Sequence, residues 1–114
     1  MTITITPSGQ ACGTQLTRLE LIQPLDNQTV ATIKSASLVH HVLFSPQQAM
    51  NDDELDGFGQ YMGPFGNTPF ISPIAGRSHV IAIRRSANET SELFAEGWHT
   101  DWNFQQNPPT GSMG

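Results

Sequence analysis

The residues read as an α+β chain, on three observations. Thr2-Ile3-Thr4-Ile5-Thr6 alternates β-branched side chains in the period of a strand. Asp26 and Asn51 each stand where a helix N-cap is expected, ahead of stretches with helical spacing. His79 to Arg84, His-Val-Ile-Ala-Ile-Arg, is the clearest strand pattern in the chain. Strands and helices come in runs rather than in strict alternation, which favours α+β over α/β.

In order along the chain, the opening strand leads to a turn at Gly13 and then to Leu16 through Leu21. Asp26 opens a helix expected to run to about Ser37, with Val30, Ile33 and Ser37 along one face. Val39 to Phe44 reads as a short buried strand, and one of His40 and His41, in or beside it, reads as a satisfied structural histidine. Asn51, with Glu54 three residues on, forms a capping-box pattern for a second helix to about Tyr61, with Leu55 and Phe58 inward. Gly57 and Gly59 weaken the end of that helix. Gly63 to Arg77 is rich in glycine and proline and reads as a long loop. After the 79–84 strand, Ser86 to Gly97 is polar, and Trp98 to Phe104 is expected to be extended.

Composition narrows what the chain can be. Its 114 residues are expected to form one domain spanning 1–114. A net charge of −5, with Arg84-Arg85 the only adjacent cations, argues against nucleic acid or an anionic membrane surface as partner. No long apolar run suits a membrane span, and the start, Met1 to Thr6, does not have the pattern of a secretory leader. Cys12 is alone, so no internal disulfide is expected. These features together suggest the cytoplasm. Asn88-Glu89-Thr90 matches a glycosylation pattern but reads as an accident of a polar loop.

The chemistry sits near the end. His99 and Asp101 stand two apart, so in an extended segment both point to one face. An imidazole and a carboxylate side by side are two-thirds of the 2-His-1-carboxylate facial triad that binds iron(II) and leaves positions open. A bare His-x-Asp is weak evidence, since a loop histidine and a turn aspartate produce it by chance. The wider string is more specific: Gly97-Trp98-His99-Thr100-Asp101, Phe104, then Pro108-Pro109-Thr110-Gly111.

That string resembles the iron-binding segment of the TauD/TfdA family, the Fe(II)/2-oxoglutarate-dependent dioxygenases. The resemblance extends in order over nearly the whole chain, through Ile5-Thr6-Pro7, Pro24-Leu25, His41-Val42-Leu43-Phe44 and Gln48-Ala49-Met50. It implies the amino-terminal part of a double-stranded β-helix (jelly-roll) fold with flanking helices, incomplete because such proteins are much longer. It implies His99 and Asp101 as metal ligands, Fe(II), 2-oxoglutarate as cosubstrate, and molecular oxygen. It also implies a distal histidine and an arginine for the far carboxylate of 2-oxoglutarate, to which no residue here corresponds. The expected reaction is hydroxylation of a small organic substrate bearing a sulfonate or carboxylate, with this chain inactive alone.

In the family's substrate loop this chain reads Gly66-Asn67-Thr68-Pro69-Phe70, so Asn67, Thr68 and Phe70 are the candidate substrate residues. Thr68 stands where a histidine is usual, and Ala95 where taurine enzymes carry an amide, which speaks against taurine itself. Trp98 and Trp102 are expected to wall the metal site from water. Two other readings stand beside the dioxygenase. One is a non-catalytic structural or interaction module keeping only the start of the fold. The other is a metal-dependent hydrolase, disfavoured because no further ligand cluster accompanies the pair. Self-association or a completing chain is expected to cover unpaired strand edges.

Overall fold

A computed structural model describes residues 2–114; Met1, where the expected start begins, lies outside the described residues. The chain divides into two compact units, Met1–Gly63 and Pro64–Gly114. Three strands and two helices are assigned among the described residues, all in the first unit.

Strand β1, Thr4–Pro7, pairs antiparallel with β2, Thr14–Thr17, placing Ile5 opposite Leu16. The connecting turn closes where Ser8 N–H donates to Gly13 O at 3.0 Å. Gly13 lies at φ 101, a conformation that side chains rarely adopt and glycine takes without penalty. Its N–H then donates to His40 O at 2.8 Å, tying the turn to the end of the first helix. The alternation of β2 buries Thr14 and Leu16, both 2% exposed, and leaves Gln15 outward. The Thr14 hydroxyl has no hydrogen-bond partner.

Helix α1, Asn27–His40, begins as expected: the Asp26 carboxylate accepts from Thr29 N–H at 2.7 Å. That bond holds the Asp26 carboxyl below its ordinary range. Ile33 and Ala36, one turn apart, enter a core with Leu16, Leu19 and Leu21. The helix ends later than its sequence suggests. Val39 and His40 remain helical, and His41 stops it at φ 68 while donating back to Ser37 O at 2.9 Å. The strand expected over 39–44 therefore shrinks to β3, Leu43–Phe44, which pairs parallel to β2. It is only partly buried: Leu43 packs against the core, whereas Phe44 is 65% exposed. His40 is only half-buried and His41 exposed, so the core-histidine expectation fails with the strand that carried it.

Helix α2, Asp52–Met62, opens with the expected capping box: Glu54 N–H donates to Asn51 Oδ1 at 2.8 Å, and Asn51 N–H to Glu54 Oε1 at 3.1 Å. Asp52, Asp53 and Glu54 place negative charge at its positive dipole end. Phe58 and Met62 pack against the core, and Gly59 is buried.

The second unit has no assigned helix or strand among the described residues. The 79–84 segment, with the strongest strand pattern, forms no ladder. A strand is defined by hydrogen bonds to a neighbour; here Val80 O accepts from Ile74 N–H at 2.7 Å, a loop closure. Val80 is buried, whereas Ile83 is 64% exposed. The 98–104 segment is likewise bent rather than extended, with Gln105 N–H donating to Trp102 O at 3.2 Å in a turn. Among the described residues, no helix is long and apolar enough to cross a membrane.

Candidate functional site

Within the second unit, His99 and Asp101 come together, but on a bend rather than in the extended segment for which their spacing places them on one face. Imidazole Nε2 lies 3.2 Å from Asp101 Oδ1, and both side chains are about half exposed. Backbone geometry around them is unusual. Ala95 at φ 54 and Trp102 at φ 56 bracket the pair in the left-handed region, costing roughly 1–2 kcal/mol each. Those two reversals turn the segment so that it presents its side chains from a bend.

The ring's orientation is set by its other nitrogen. His99 Nδ1 lies 2.7 Å from Gly97 O. A carbonyl oxygen only accepts, so Nδ1 carries the proton there and a neutral ring keeps its lone pair on Nε2. Metal-bound histidines are held in this way, one nitrogen donating to a fixed acceptor and the other free for the metal. The second carboxylate oxygen, Oδ2, accepts from the Ser112 hydroxyl at 3.3 Å, leaving Oδ1 facing the imidazole. With a neutral ring, Nε2 and Oδ1 are two acceptors facing each other, and a cation between them removes the conflict. With a protonated ring the same distance is an ion pair. Two donors 3.2 Å apart suit neighbouring positions around a small divalent cation, whose bonds of about 2.1 Å at right angles separate donors by roughly 3 Å. The imidazole and carboxylate types fit iron(II).

The pair offers two candidate donors, not three. Among the described residues, no group of three or more His, Cys, Asp or Glu side chains could hold a metal ion. His79, in this same unit, stacks on Phe65 with ring centroids 4.3 Å apart.

The candidate substrate residues lie beside the segment that follows the ligand pair. Asn67 O accepts from Gln105 Nε2 at 2.7 Å, and Phe70 faces Phe104 with centroids 5.8 Å apart. Thr68 is half-buried and its carbonyl accepts from Ile71 N–H. Trp102 continues the aromatic row, 6.0 Å from Phe104. Trp98, expected as wall, is instead fully exposed. Gln105 and Ser112 were not singled out by sequence reasoning. Ser112 directly follows the Pro108-Pro109-Thr110-Gly111 string, but nothing local marks Gln105.

The family described as "Taurine catabolism dioxygenase TauD, TfdA family" matches residues 4–113. The chain belongs to the TauD/TfdA dioxygenase family. It is 26% identical over 108 residues to an alpha-ketoglutarate-dependent sulfate ester dioxygenase of Pseudomonas putida, covering 94% of this chain and 35% of that protein. A taurine dioxygenase structure from Burkholderia xenovorans superposes with a TM-score of 0.76 at 28% identity, over 96% of this chain and 38% of that one. The structure of AAD-2 in complex with Mn(II) and N-oxalylglycine superposes at 0.55 and 26% identity, over 57% of this chain and 26% of that one. The chain thus spans about a third of the length of that sulfate ester dioxygenase.

Proposed function

We propose that this chain is the amino-terminal part of a non-haem Fe(II)/2-oxoglutarate dioxygenase, hydroxylating a small organic substrate that bears a sulfonate or carboxylate. The observation carrying the reading is the His99–Asp101 pair, Nε2 to Oδ1 at 3.2 Å, with Nδ1 2.7 Å from Gly97 O. Family membership supports it, as does the name of the sulfate ester relative.

In this reading His99 offers its Nε2 lone pair and Asp101 its Oδ1. Gly97 O holds the ring from behind, and Ser112 occupies the second carboxylate oxygen. Bound iron(II), with 2-oxoglutarate and oxygen, supplies the oxidation of a C–H bond, with succinate and carbon dioxide as co-products. Asn67, Thr68 and Phe70 line the substrate side, and Trp102 limits the access of water to it. The third ligand and the arginine for 2-oxoglutarate come from outside these residues. The complete fold is the double-stranded β-helix, of which the three-stranded sheet and two helices here form the opening. The lone cysteine and acidic composition suit a cytoplasmic enzyme with a small-molecule substrate.

The test is iron- and 2-oxoglutarate-dependent succinate formation by the product of the whole reading frame, native and with His99→Ala or Asp101→Ala. Activity abolished by both, with iron content lowered, supports the proposal. No succinate and unchanged iron would favour a non-catalytic module, for which the first unit's own core of Leu16, Leu19, Leu21, Ile33 and Ala36 speaks.

A further inference from the structure

Three separate contacts fasten the loop of candidate substrate residues to the stretch just past the ligand pair. Gln105 Nε2 donates to Asn67 O at 2.7 Å, across 38 residues of sequence. The Phe70 and Phe104 rings meet at 5.8 Å, tilted by 32°, within the range of favourable aromatic pairs. Gly66 lies so close to Pro109 that a Cβ on residue 66 would stand 3.2 Å from the proline Cβ, tighter than ordinary contact. A hydrogen bond, a ring pair and a close backbone approach thus act at successive points along the two segments. Only the first has a direction: it needs a donor at 105, because the Asn67 carbonyl can only accept.

The row that these contacts align runs Phe70, Phe104, Trp102, with 5.8 and 6.0 Å between neighbouring centroids. None of Asn67, Thr68, Phe70, Trp102, Phe104 or Gln105 carries a charge. The three rings offer an apolar face, and none of the six supplies a charge to balance an ammonium or sulfonate group.

We propose that Gln105 is a specificity-determining positioning residue, fastening the 66–70 loop to the ligand-bearing segment and aligning Phe70, Phe104 and Trp102 as a wall for the apolar body of the substrate. The inference rests on the dioxygenase reading for its functional meaning, but its geometry is tested separately. Gln105 touches no reacting atom. It acts through the loop, by fixing the distance between the aromatic row and the His99–Asp101 pair.

The experiment is nuclear magnetic resonance on the labelled 114-residue chain. Gln105→Glu keeps the side chain's size and replaces the donor by an acceptor facing another acceptor. It is expected to abolish the Phe70–Phe104 ring cross-peaks and to move the Asn67 to Phe70 backbone amides. Gln105→Lys keeps a donor of similar reach and should retain those cross-peaks, a rescue that general loss of packing would not show. Gly66→Ala should weaken the same cross-peaks from the opposite end of the contact. 1-Hexanesulfonate should shift the Phe70 and Phe104 ring protons of the native chain more than taurine does, and lose that preference in Gln105→Glu. Cross-peaks intact in Gln105→Glu, or lost equally in Gln105→Lys, would overturn the positioning role. Equal shifts with taurine would overturn the apolar wall. Cobalt(II) titration of the His99 ring scores the metal reading by itself, so each reading can fail without the other.

Discussion

The Gln48 side-chain carbonyl accepts a 2.9 Å hydrogen bond from the backbone N–H of Leu21, 27 residues earlier in the chain. The same amide turns its nitrogen to Leu19 O at 3.0 Å. Leu19 and Leu21 are core residues whose backbone has left β2 and has not yet entered α1, so no regular ladder serves them. One glutamine thus replaces both halves of a missing strand neighbour. Gln48→Ala is expected to lower the stability of the first unit by roughly 1–2 kcal/mol, read from urea unfolding. Gln48→Glu should cost a similar amount, since a carboxylate cannot donate to Leu19 O. Neutral behaviour of both variants would show that water serves Leu19 and Leu21 equally well.

Leu16, 2% exposed on β2, is the central core side chain. Leu16→Ala is expected to cost roughly 2–5 kcal/mol, through lost burial and the cavity left behind. Leu38→Ala is the control, because Leu38 is 80% exposed on α1 and its loss should stay within about 0.5 kcal/mol. Thermal melting of the two variants distinguishes them.

What the residues disclose in advance divides by range. Asp26 and the Asn51–Glu54 box are legible because a cap is completed within three residues. The closeness of His99 and Asp101 is legible from their spacing, but the bend on which they meet is not, because that spacing places them together only in an extended segment. The end of α1 is not legible, because His41 at φ 68 and the bond from Gly13 N–H to His40 O depend on a turn far upstream. The 79–84 pattern has the alternation of a strand, yet a strand also needs a neighbour, and its own residues do not specify one. The Gln105–Asn67 bond spans 38 residues and joins two loops, where no periodicity exists to be read.

Asp26 gives α1 a pH dependence whose sign is fixed. The backbone bond from Thr29 N–H, and then that residue's side chain, hold the carboxyl below its ordinary value of 3.8. A carboxyl lowered in the folded state stabilises above its unfolded value and ceases to do so as pH falls through its folded one. Helical circular dichroism is therefore expected to decline below about pH 4. Asp26→Asn caps without a charge and should flatten that decline. An unchanged acid profile in Asp26→Asn would place the loss elsewhere.

Hydrogen exchange should separate ladder from loop. The β2 strand and α1 hold their N–H groups in regular bonds, whereas residues 80–104 make only scattered turns among the described residues. Amides of 80–104 are expected to exchange much faster than those of Leu16 and Ile33. Phe70 at 80%, Trp98 fully and Phe104 at 63% exposed also favour association of the isolated chain, seen as concentration-dependent elution on size exclusion. A monomer at every concentration, with slow exchange across 80–104, would instead favour an independent module.

The isolated chain is expected to form no succinate above an iron-only control when given iron, ascorbate, 2-oxoglutarate and candidate substrates. His99 and Asp101 supply two donors, and no three-membered donor group exists among the described residues. A site of two ligands holds a divalent ion weakly, and contributions within a catalytic site are strongly non-additive, so a partial set yields far less than a proportionate share of rate. Weak metal binding and turnover therefore separate. Cobalt(II) should perturb the His99 ring, and His99→Ala should remove the effect, while succinate stays at background throughout. Succinate well above background, and lost in Asp101→Ala, would contradict this. It would mean that another copy of the chain or a residue outside this pair completes the coordination.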